Sequence, residues 1–403
     1  RQALALGLAG GGLARFAQIP PPLSGAYFEI AGLLRQMDDI EGWIAHYNAC
    51  PVELRGDLRH PHYAFGIAMH IGDPWRAEQE LARLLPSVEQ IAEFGTLARL
   101  LPMLQYLDLP QRDLLRFYRR FDQLAEQWTR GLRLAPDPGS REGRRVRIGY
   151  LSPDFKVHVM GLLMFEVISR HDRERFEIFL YSLNDKEDVL TERFRAACDH
   201  FVRLDQPTSE DSARRIAVDR LDLLVDLGGH MAGSRPLILA YKPAAVQITH
   251  LGYHGSLGLE SVDFKITDRF ADPPDNARFL IERLLPMNGC LMPFLRRTPA
   301  APPLSRADLG IADDRIVFGV FVNVLKLSPR CVAAWRAILE RVDRAVLAFS
   351  PHYRWAREAT VNCMALAGIP GEKLVFIASG DARDFGRWRY RLVDIVLDTF
   401  PYS

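Results

Sequence analysis

From Val146 onward, short apolar runs alternate with segments of helix length, and this alternation constrains the fold more than any other feature of the chain. Strands that are separated by helices favour parallel, doubly wound sheets over sheets built from hairpins. A first group of six runs lies at residues 146–151, 176–183, 201–204, 221–227, 246–249 and 262–267. After a Pro- and Arg-rich stretch, a second group lies at residues 316–322, 345–349, 374–377 and 395–397. The sequence therefore predicts two Rossmann-like α/β domains, which we place at residues 145–292 and 306–403.

The chain before these runs has helical periodicity, so residues 1–138 are predicted to form an all-α region. A shift of 34 residues places Gly32 on Gly66 and Asp39 on Asp73. This period is that of tetratricopeptide repeats, in which each repeat is a pair of helices. The consensus aromatic positions are mostly unfilled, so a generic helical bundle remains the alternative. Turn-forming residues at 136–140 mark the boundary to the first predicted sheet.

Composition excludes several classes of function. The 51 basic and 50 acidic side chains nearly cancel, so the charge predicts no nucleic-acid partner. Five scattered cysteines without Cys-x-x-Cys or Cys/His spacing predict neither disulfides nor a zinc site, and they fit a reducing compartment. The apolar stretch at 3–13 is too short to cross a membrane and lacks a cleavage signal. We therefore expect a cytoplasmic protein without a membrane partner.

Two predicted strands run into loops that carry a titratable side chain. The first strand is followed by Ser-Pro-Asp and then by His158. Because open α/β sheets bind ligands beyond the carboxyl ends of their strands, His158 is a candidate general base or hydrogen-bonding group. Lys326 follows the first strand of the second group and precedes Ser328 and Pro329, which suit the start of a helix. An ammonium beside a helix N-terminus suits a phosphate. For both residues the alternative is a solvated loop side chain.

Two further strand ends are rich in glycine and histidine. One is followed by Asp226, Gly228, Gly229 and His230. These glycines do not fit the dinucleotide-binding spacing, and they instead predict a close approach of the backbone to another group. His250 and His254 lie four residues apart like paired metal ligands, but they span a Gly-containing loop without a carboxylate at the required spacing. We predict no metal site. The chain also contains no Asp-x-Asp, so a transferase built this way would stabilise a leaving diphosphate with cations and backbone N–H groups.

Several motifs in a fixed order resemble one enzyme family. They are RIGYLSPDF at 147–155 followed by His158, LVDLGGH at 224–230, QITHLGYHG at 247–255, ITD at 266–268 and FVNVLK at 321–326. Together, and behind tetratricopeptide-like helices, they resemble the O-linked N-acetylglucosamine transferases of nucleocytoplasmic proteins (glycosyltransferase family 41), particularly their bacterial homologues. The resemblance covers residues 145–403.

The resemblance implies a GT-B type, inverting glycosyltransferase that moves N-acetylglucosamine from UDP-GlcNAc to Ser or Thr hydroxyls without a metal or another cofactor, and releases UDP. Its partners would be a UDP-sugar donor and protein or peptide acceptors. The family's active-site histidine corresponds to His158, the lysine facing the donor diphosphate to Lys326, and a polar donor contact to Asn323. From the matching motifs, the predicted donor-binding set also includes Pro153, Asp154, Tyr253, His254 and Gly255.

This chain departs from the family in places. The family's Leu-Gly-Tyr-Pro-Gly loop has His254 in place of proline, and the basic segment near the uridine site corresponds to residues 378–387 with little identity. The family's His-Thr-Thr helix start and ribose-binding carboxylate are expected after Ser403, so the second Rossmann-like domain is expected to be incomplete. Two alternatives stay open: a protein O-fucosyltransferase that uses GDP-fucose, and a catalytically decayed, repeat-based protein-binding module.

Overall fold

The structure is a computed structural model that describes residues 24–36, 39–51, 54, 59–184, 186–293, 302–350, 354–378 and 387–402. The apolar stretch at 3–13 and residues 379–386 of the basic segment lie outside these ranges. The chain divides into two compact units. The first-sheet unit comprises Val88–Gln105 and Leu109–Thr298, and the second-sheet unit comprises Arg1–Ser87, Tyr106–Asp108 and Pro299–Ser403.

Six α-helices precede the first sheet within the described residues. They are α1 Ser24–Gln36, α2 Ile40–Asn48, α3 Arg59–His70, α4 Pro74–Leu84, α5 Phe94–Leu104 and α6 Gln111–Thr129. Helices α1–α4 belong to the second-sheet unit, whereas α5 and α6 belong to the first-sheet unit. The region that the sequence assigns to one helical domain is therefore shared between two compact units, and the domain boundaries stay predictions. None of the helices in the described ranges combines the length and apolar character that a bilayer crossing requires.

The 34-residue spacing corresponds to two helical hairpins, and in each of them an aspartate caps the second helix. α1 packs on α2, and α3 packs on α4. Asp39 caps α2 by accepting the Gly42 N–H at 2.8 Å, and Asp73 caps α4 by accepting the Arg76 N–H at 3.0 Å. A Cβ on Gly66 would lie 2.8 Å from the Trp43 ring, so glycine there allows α3 to approach α2. The tetratricopeptide assignment itself stays a prediction.

The first-sheet unit contains a parallel sheet in the order β3-β2-β1-β4-β5-β6-β7. Its strands are β1 Val146–Ser152, β2 Phe176–Ser182, β3 His200–Arg203, β4 Leu223–Asp226, β5 Val246–Thr249, β6 Phe264–Asp268 and β7 Arg283–Met287. One helix connects each pair of consecutive strands from β1 to β5: α7 Val159–Ile168, α8 Val189–Ala196, α9 Ser209–Ala217 and α10 Leu237–Ala240. The predicted α/β class with a parallel sheet is confirmed.

Strand β7 was not predicted from the sequence. It lies at the edge of the sheet and most of its residues are exposed, so it has no apolar run to mark it. Pro286 lies within it, and proline is tolerated in a sheet chiefly at an edge, where its missing N–H costs no ladder bond.

The second-sheet unit contains a four-stranded parallel sheet in the order β10-β9-β8-β11. Its elements are β8 Ile316–Val320, α11 Pro329–Arg341, β9 Ala345–Phe349, α12 Arg354–Leu366, β10 Leu374–Phe376 and β11 Ile395–Val396. Trp335 of α11 and Cys363 of α12 are buried in the same apolar core as Leu347 of β9. All four strands lie where the sequence predicts them.

The α3–α4 turn packs on α12 within this unit. Asn362 donates a hydrogen bond to the Ile71 carbonyl at 2.8 Å. Gly72 has a φ of +73°, and a Cβ there would lie 1.9 Å from the Ala359 carbonyl oxygen. Only glycine satisfies both the left-handed backbone and this close approach, so this turn joins the amino-terminal helices to the second sheet.

Candidate active site

The loop after β1 is held in place by the segment that starts α8. The Val157 N–H donates to the Asp188 carboxylate at 2.7 Å, and the Thr191 hydroxyl donates to the Phe155 carbonyl at 2.7 Å. Asp188 and Thr191 also form a capping box at the start of α8. The loop therefore has a fixed backbone, and it ends at His158.

His158 is the N-cap of α7, and its side chain is 47% exposed. Its Nδ1 lies 3.4 Å from Oδ2 of Asp154 and 3.3 Å from the Met160 backbone nitrogen. Asp154 itself is buried, with 9% exposure. Burial raises the pKa of Asp154, while His158 and Lys156 act to lower it. The structure thus pairs an exposed imidazole with a buried carboxyl group beyond the carboxyl end of β1.

Pro153 lies among the glycines that follow β4. A Cβ on Gly228 or on Gly233 would lie 3.1 Å from Pro153. The Asp226 carboxylate accepts the N–H groups of Gly228 at 3.3 Å and Gly229 at 2.8 Å and so orders this turn. Burial raises the pKa of Asp226 to about 6 against the effect of these hydrogen bonds. The nearest group to a Cβ on Gly228 is the Ser234 hydroxyl oxygen at 2.2 Å, and the nearest to one on Gly233 is Pro153, so these glycines allow close packing within the protein; their approach to a bound group stays a prediction.

The three consecutive residues Tyr253, His254 and Gly255 differ in their surroundings. Tyr253 is buried, and its hydroxyl donates to the Leu101 carbonyl of α5 at 3.0 Å. A Cβ on Gly255 would lie 2.5 Å from the Tyr118 hydroxyl of α6. His254 is exposed. Tyr253 and Gly255 therefore attach this loop to the helices of the first-sheet unit, and their predicted donor contacts remain untested.

The histidines at the neighbouring strand ends are buried. His230 is bonded through Nε2 to the Leu257 carbonyl at 2.8 Å, and burial lowers its pKa to about 4. Burial likewise lowers the pKa of His250 to about 4. Both are neutral at pH 7 and lie in the protein interior, whereas His254 is exposed. No group of three or more His, Cys, Asp or Glu side chains in the described part of the chain is placed to hold a metal ion.

Lys326 ends a short 3₁₀ turn, Val324–Lys326, that follows β8. Its ammonium lies 4.7 Å from the centre of the Tyr402 ring, a cation–π distance. Burial lowers the pKa of Lys326, and Asp398 acts in the opposite direction. Asn323 caps the turn by accepting the Leu325 N–H at 3.0 Å, and it is exposed. Lys326 is therefore a half-buried cation held over an aromatic ring, which differs from a solvated loop lysine.

Helix α11 begins directly after this turn, as predicted. Ser328 is its N-cap and accepts the Cys331 N–H at 3.2 Å, with Pro329 at the first position. The Ser328 hydroxyl also donates to the Phe400 carbonyl at 2.6 Å, which ties the helix start to the chain that follows β11.

Two partners of the candidate residues were missed by the sequence interpretation. The sequence predicts a donor contact for Asp154, and the structure also places its carboxylate beside His158. The sequence signal was the i, i+4 spacing, which is common and weak. Tyr402, beneath Lys326, lies 76 residues away in the chain, and no local pattern connects the two residues. The donor-binding roles of Pro153, Asp154, Asn323 and His254 stay predictions.

Comparison with known proteins places the chain in a family. The model of glycosyl transferase family 41 matches residues 134–292 and 298–401. The probable UDP-N-acetylglucosamine–peptide N-acetylglucosaminyltransferase SEC of Arabidopsis thaliana is 30% identical over 273 residues, which are 65% of this chain and 28% of that protein. The Arabidopsis thaliana protein SPINDLY, with the same probable activity in its name, is 30% identical over 294 residues, 70% of this chain and 31% of that protein.

A solved structure is similar over almost the whole chain. The O-GlcNAc transferase of Thermobaculum terrenum, in a lysine-to-methionine mutant, has a TM-score of 0.74 at 25% identity and covers 97% of this chain and 74% of its own. The chain spans less than a third of the two plant relatives, at 28% and 31% of their lengths. Because the family model matches more than half of the residues and includes both sheets, this chain belongs to glycosyl transferase family 41.

Proposed function

We propose that the chain carries the transferase region of a GT-B type enzyme that moves N-acetylglucosamine from UDP-GlcNAc to Ser or Thr hydroxyls of proteins, with inversion and without a metal ion. The observation that carries the proposal is the family 41 match, which runs through both parallel sheets. The identity of the donor and of the peptide acceptor is taken from the names of the relatives. UDP-GlcNAc is then the substrate, UDP the product, and no cofactor is consumed.

The leaving group needs a positive charge. As the bond between the anomeric carbon and the β-phosphate oxygen breaks, its electron pair stays with UDP, and negative charge develops on the diphosphate. Lys326 is a half-buried ammonium just before the N-terminus of α11, where helix N–H groups also favour an anion. A cation already held in place stabilises that charge with little rearrangement. We assign this task to Lys326.

The acceptor needs a base. The Ser or Thr hydroxyl attacks the anomeric carbon on the face opposite to UDP and must lose its proton. His158 is the exposed imidazole at the carboxyl end of β1, and imidazole is the side chain that most often acts as a general base in enzymes. We assign proton removal to His158, and we assign Asn323 and His254, both exposed, to contacts with the donor.

We assign the binding of acceptor proteins to the helical hairpins α1–α4. If α1–α4 are tetratricopeptide-like repeats, their stacked helices provide an extended surface of the kind that repeat proteins use for partners. The proposal therefore places the recognition of acceptor proteins on the helices and the chemistry on the sheets.

The test is a transfer assay on the full-length protein. It is incubated with UDP-GlcNAc, with GDP-fucose, or with neither, together with a library of Ser/Thr peptides, and products are read by mass spectrometry. The proposal expects N-acetylhexosamine on Ser or Thr from UDP-GlcNAc alone, a β-linkage removable by a β-specific hexosaminidase, and the same rate in EDTA. Fucose transfer from GDP-fucose, or UDP binding with no transfer from either donor, would replace the proposal with one of the two alternatives.

A further inference from the structure

We propose that Asp154 is a positioning residue for His158: its carboxylate keeps the neutral imidazole protonated on Nδ1, so that Nε2 carries the lone pair that receives the acceptor proton. The role of the imidazole rests on the proposed function. The position of the proton does not, and it can be measured without any transfer reaction.

The geometry orients the ring. Nδ1 of His158 lies 3.4 Å from Oδ2 of Asp154, whose side chain is 12% exposed, while the His158 side chain is 47% exposed. Nδ1 therefore faces the protein, and Nε2, on the other side of the ring, is the nitrogen left for a substrate. In a neutral imidazole the hydrogen bond made by one nitrogen decides where the single proton resides.

Two groups compete for Nδ1. In the structure the Met160 N–H donates to Nδ1 at 3.3 Å as the cap of α7, which is the contact that a deprotonated Nδ1 makes. In that state the lone pair of Nδ1 would also face the Asp154 carboxylate, which is repulsive as long as Asp154 is ionised. Protonation of Nδ1 replaces this repulsion with attraction between its N–H and the carboxylate 3.4 Å away. The Met160 N–H belongs to the first turn of α7, where water can satisfy it. A charge-assisted hydrogen bond is stronger than a neutral one, so the carboxylate prevails.

The surrounding contacts fix the backbone of the loop that carries Asp154 and His158. The Asp154 N–H donates to the Ser152 hydroxyl at 2.9 Å. A Cβ on Gly161 would lie 2.5 Å from the Asp154 carbonyl oxygen and 2.2 Å from that of Lys156, so the loop is folded tightly onto the first turn of α7. With the backbone fixed at both residues, only side-chain rotation could break the contact.

The other charges around the loop are accounted for by partners of their own. Lys156 donates to Asn184 at 3.2 Å, and Asp188 accepts the Val157 N–H at 2.7 Å. Lys156 and His158 both act to lower the pKa of Asp154, which burial raises. Burial is the larger of these effects, and His158 contributes to stabilising the ionised carboxylate only when the imidazole is protonated.

The proton balance of the step is simple. The acceptor O–H proton moves to Nε2 as the oxygen–carbon bond forms and the bond from carbon to the UDP oxygen breaks. The imidazole becomes an imidazolium, and the Asp154 carboxylate beside Nδ1 stabilises that charge. Loss of the proton from Nε2 to water restores the starting tautomer.

The first test is nitrogen NMR on the full-length protein with ¹⁵N-labelled histidine. The His158 signals are identified as those lost in His158→Gln. We expect the neutral imidazole of wild type to be protonated on Nδ1, and Asp154→Asn to shift the proton to Nε2, because an amide can donate to Nδ1. His171, which is bonded to the Tyr150 hydroxyl at 2.7 Å, is the internal reference and should not change. A wild-type imidazole protonated on Nε2 overturns the proposal, even if Asp154→Asn fails to fold.

The second test separates positioning from donor binding. In Asp154→Asn we expect kcat to fall roughly tenfold to a thousandfold, less than the loss of about 10² to 10⁴-fold expected when the general base itself is removed, while the calorimetric Kd for UDP changes by less than about twofold. The matched control is Asp205→Asn. Asp205 is an exposed aspartate that follows the carboxyl end of β3, as Asp154 follows that of β1, and the substitution should change neither kcat nor the Kd for UDP. If Asp154→Asn loses UDP binding and keeps the wild-type tautomer, Asp154 lines the donor site and does not position His158. If wild type transfers no sugar, the proposed function fails, and the tautomer measurement still decides this inference.

Discussion

The loops that follow β1 and β8 have the same construction but place their candidate side chains differently. Each leaves the carboxyl end of a strand, turns, and enters a helix through a capped first turn. After β1 the candidate residue His158 is itself the helix cap, and it is exposed. After β8 the cap is Ser328, and the candidate residue Lys326 lies two positions earlier, half-buried over Tyr402.

The difference matches the two tasks that we assign. A base must exchange protons with the substrate and with water, so exposure of Nε2 is an advantage and a buried partner on Nδ1 is enough to orient the ring. A group that stabilises developing charge is more effective where water is excluded, because the effective dielectric constant is lower. Loops of the same type can therefore serve both tasks, and they differ in how far the candidate side chain is buried.

His158→Ala is expected to have the largest effect. Loss of a general base should lower kcat by about 10² to 10⁴-fold, whereas binding of UDP should change little because the ring acts on the acceptor. The measurement is steady-state transfer combined with calorimetry for UDP. Unchanged turnover would mean that His158 only caps α7, and that the loop after β1 carries no catalytic side chain to compare with Lys326.

Lys326→Ala is expected to follow, with a rate roughly tenfold to a hundredfold lower, because one charge-assisted hydrogen bond of about 1.5–3 kcal/mol to the leaving diphosphate is lost. Lys326→Arg should restore only part of the rate, since a planar guanidinium does not fill the site of a compact ammonium. UDP affinity should fall as well, in contrast to His158→Ala. Wild-type activity that EDTA abolishes and Mn²⁺ restores would show that a metal, and not Lys326, stabilises the diphosphate.

Gly161→Ala tests whether the loop after β1 is as rigid as its contacts indicate. Alanine is normally better than glycine in a helix, but here its Cβ would lie within 2.5 Å of two carbonyl oxygens. We expect a net loss of about 1–3 kcal/mol in the free energy of unfolding, typical of overpacking, and a lower kcat through displacement of His158. The control is Gly371→Ala, where nothing lies within 4 Å, and which should be neutral or slightly stabilising. Equal stability in the two variants would mean that the loop yields easily.

The sequence predicted the elements that carry the candidate residues because strands and caps are local features. Six of the seven strands in the first sheet, all four in the second, and the Ser328 cap follow from apolar runs and turn chemistry that lie within a few residues. Strand β7 was not predicted, because an exposed edge strand needs no apolar pattern. The position of Tyr253 against α5 and of Tyr402 beneath Lys326 could not be predicted, because each contact joins segments far apart in the chain and depends on side-chain packing.

The smallest effect is expected from Ser328→Ala, which separates the cap from the charge in the second loop. The variant removes the acceptor of the Cys331 N–H and the hydrogen bond to the Phe400 carbonyl, so the free energy of unfolding should fall by about 1–2 kcal/mol. Ser328→Asn can restore the cap and should recover part of the loss. If Lys326 acts through its own charge, the transfer rate of Ser328→Ala at a temperature well below its unfolding transition should stay within about fivefold of wild type, since a helix dipole contributes only about 0.3–1 kcal/mol at such a site. A loss as large as that of Lys326→Ala would instead mean that the helix N-terminus binds the diphosphate and that the lysine is secondary.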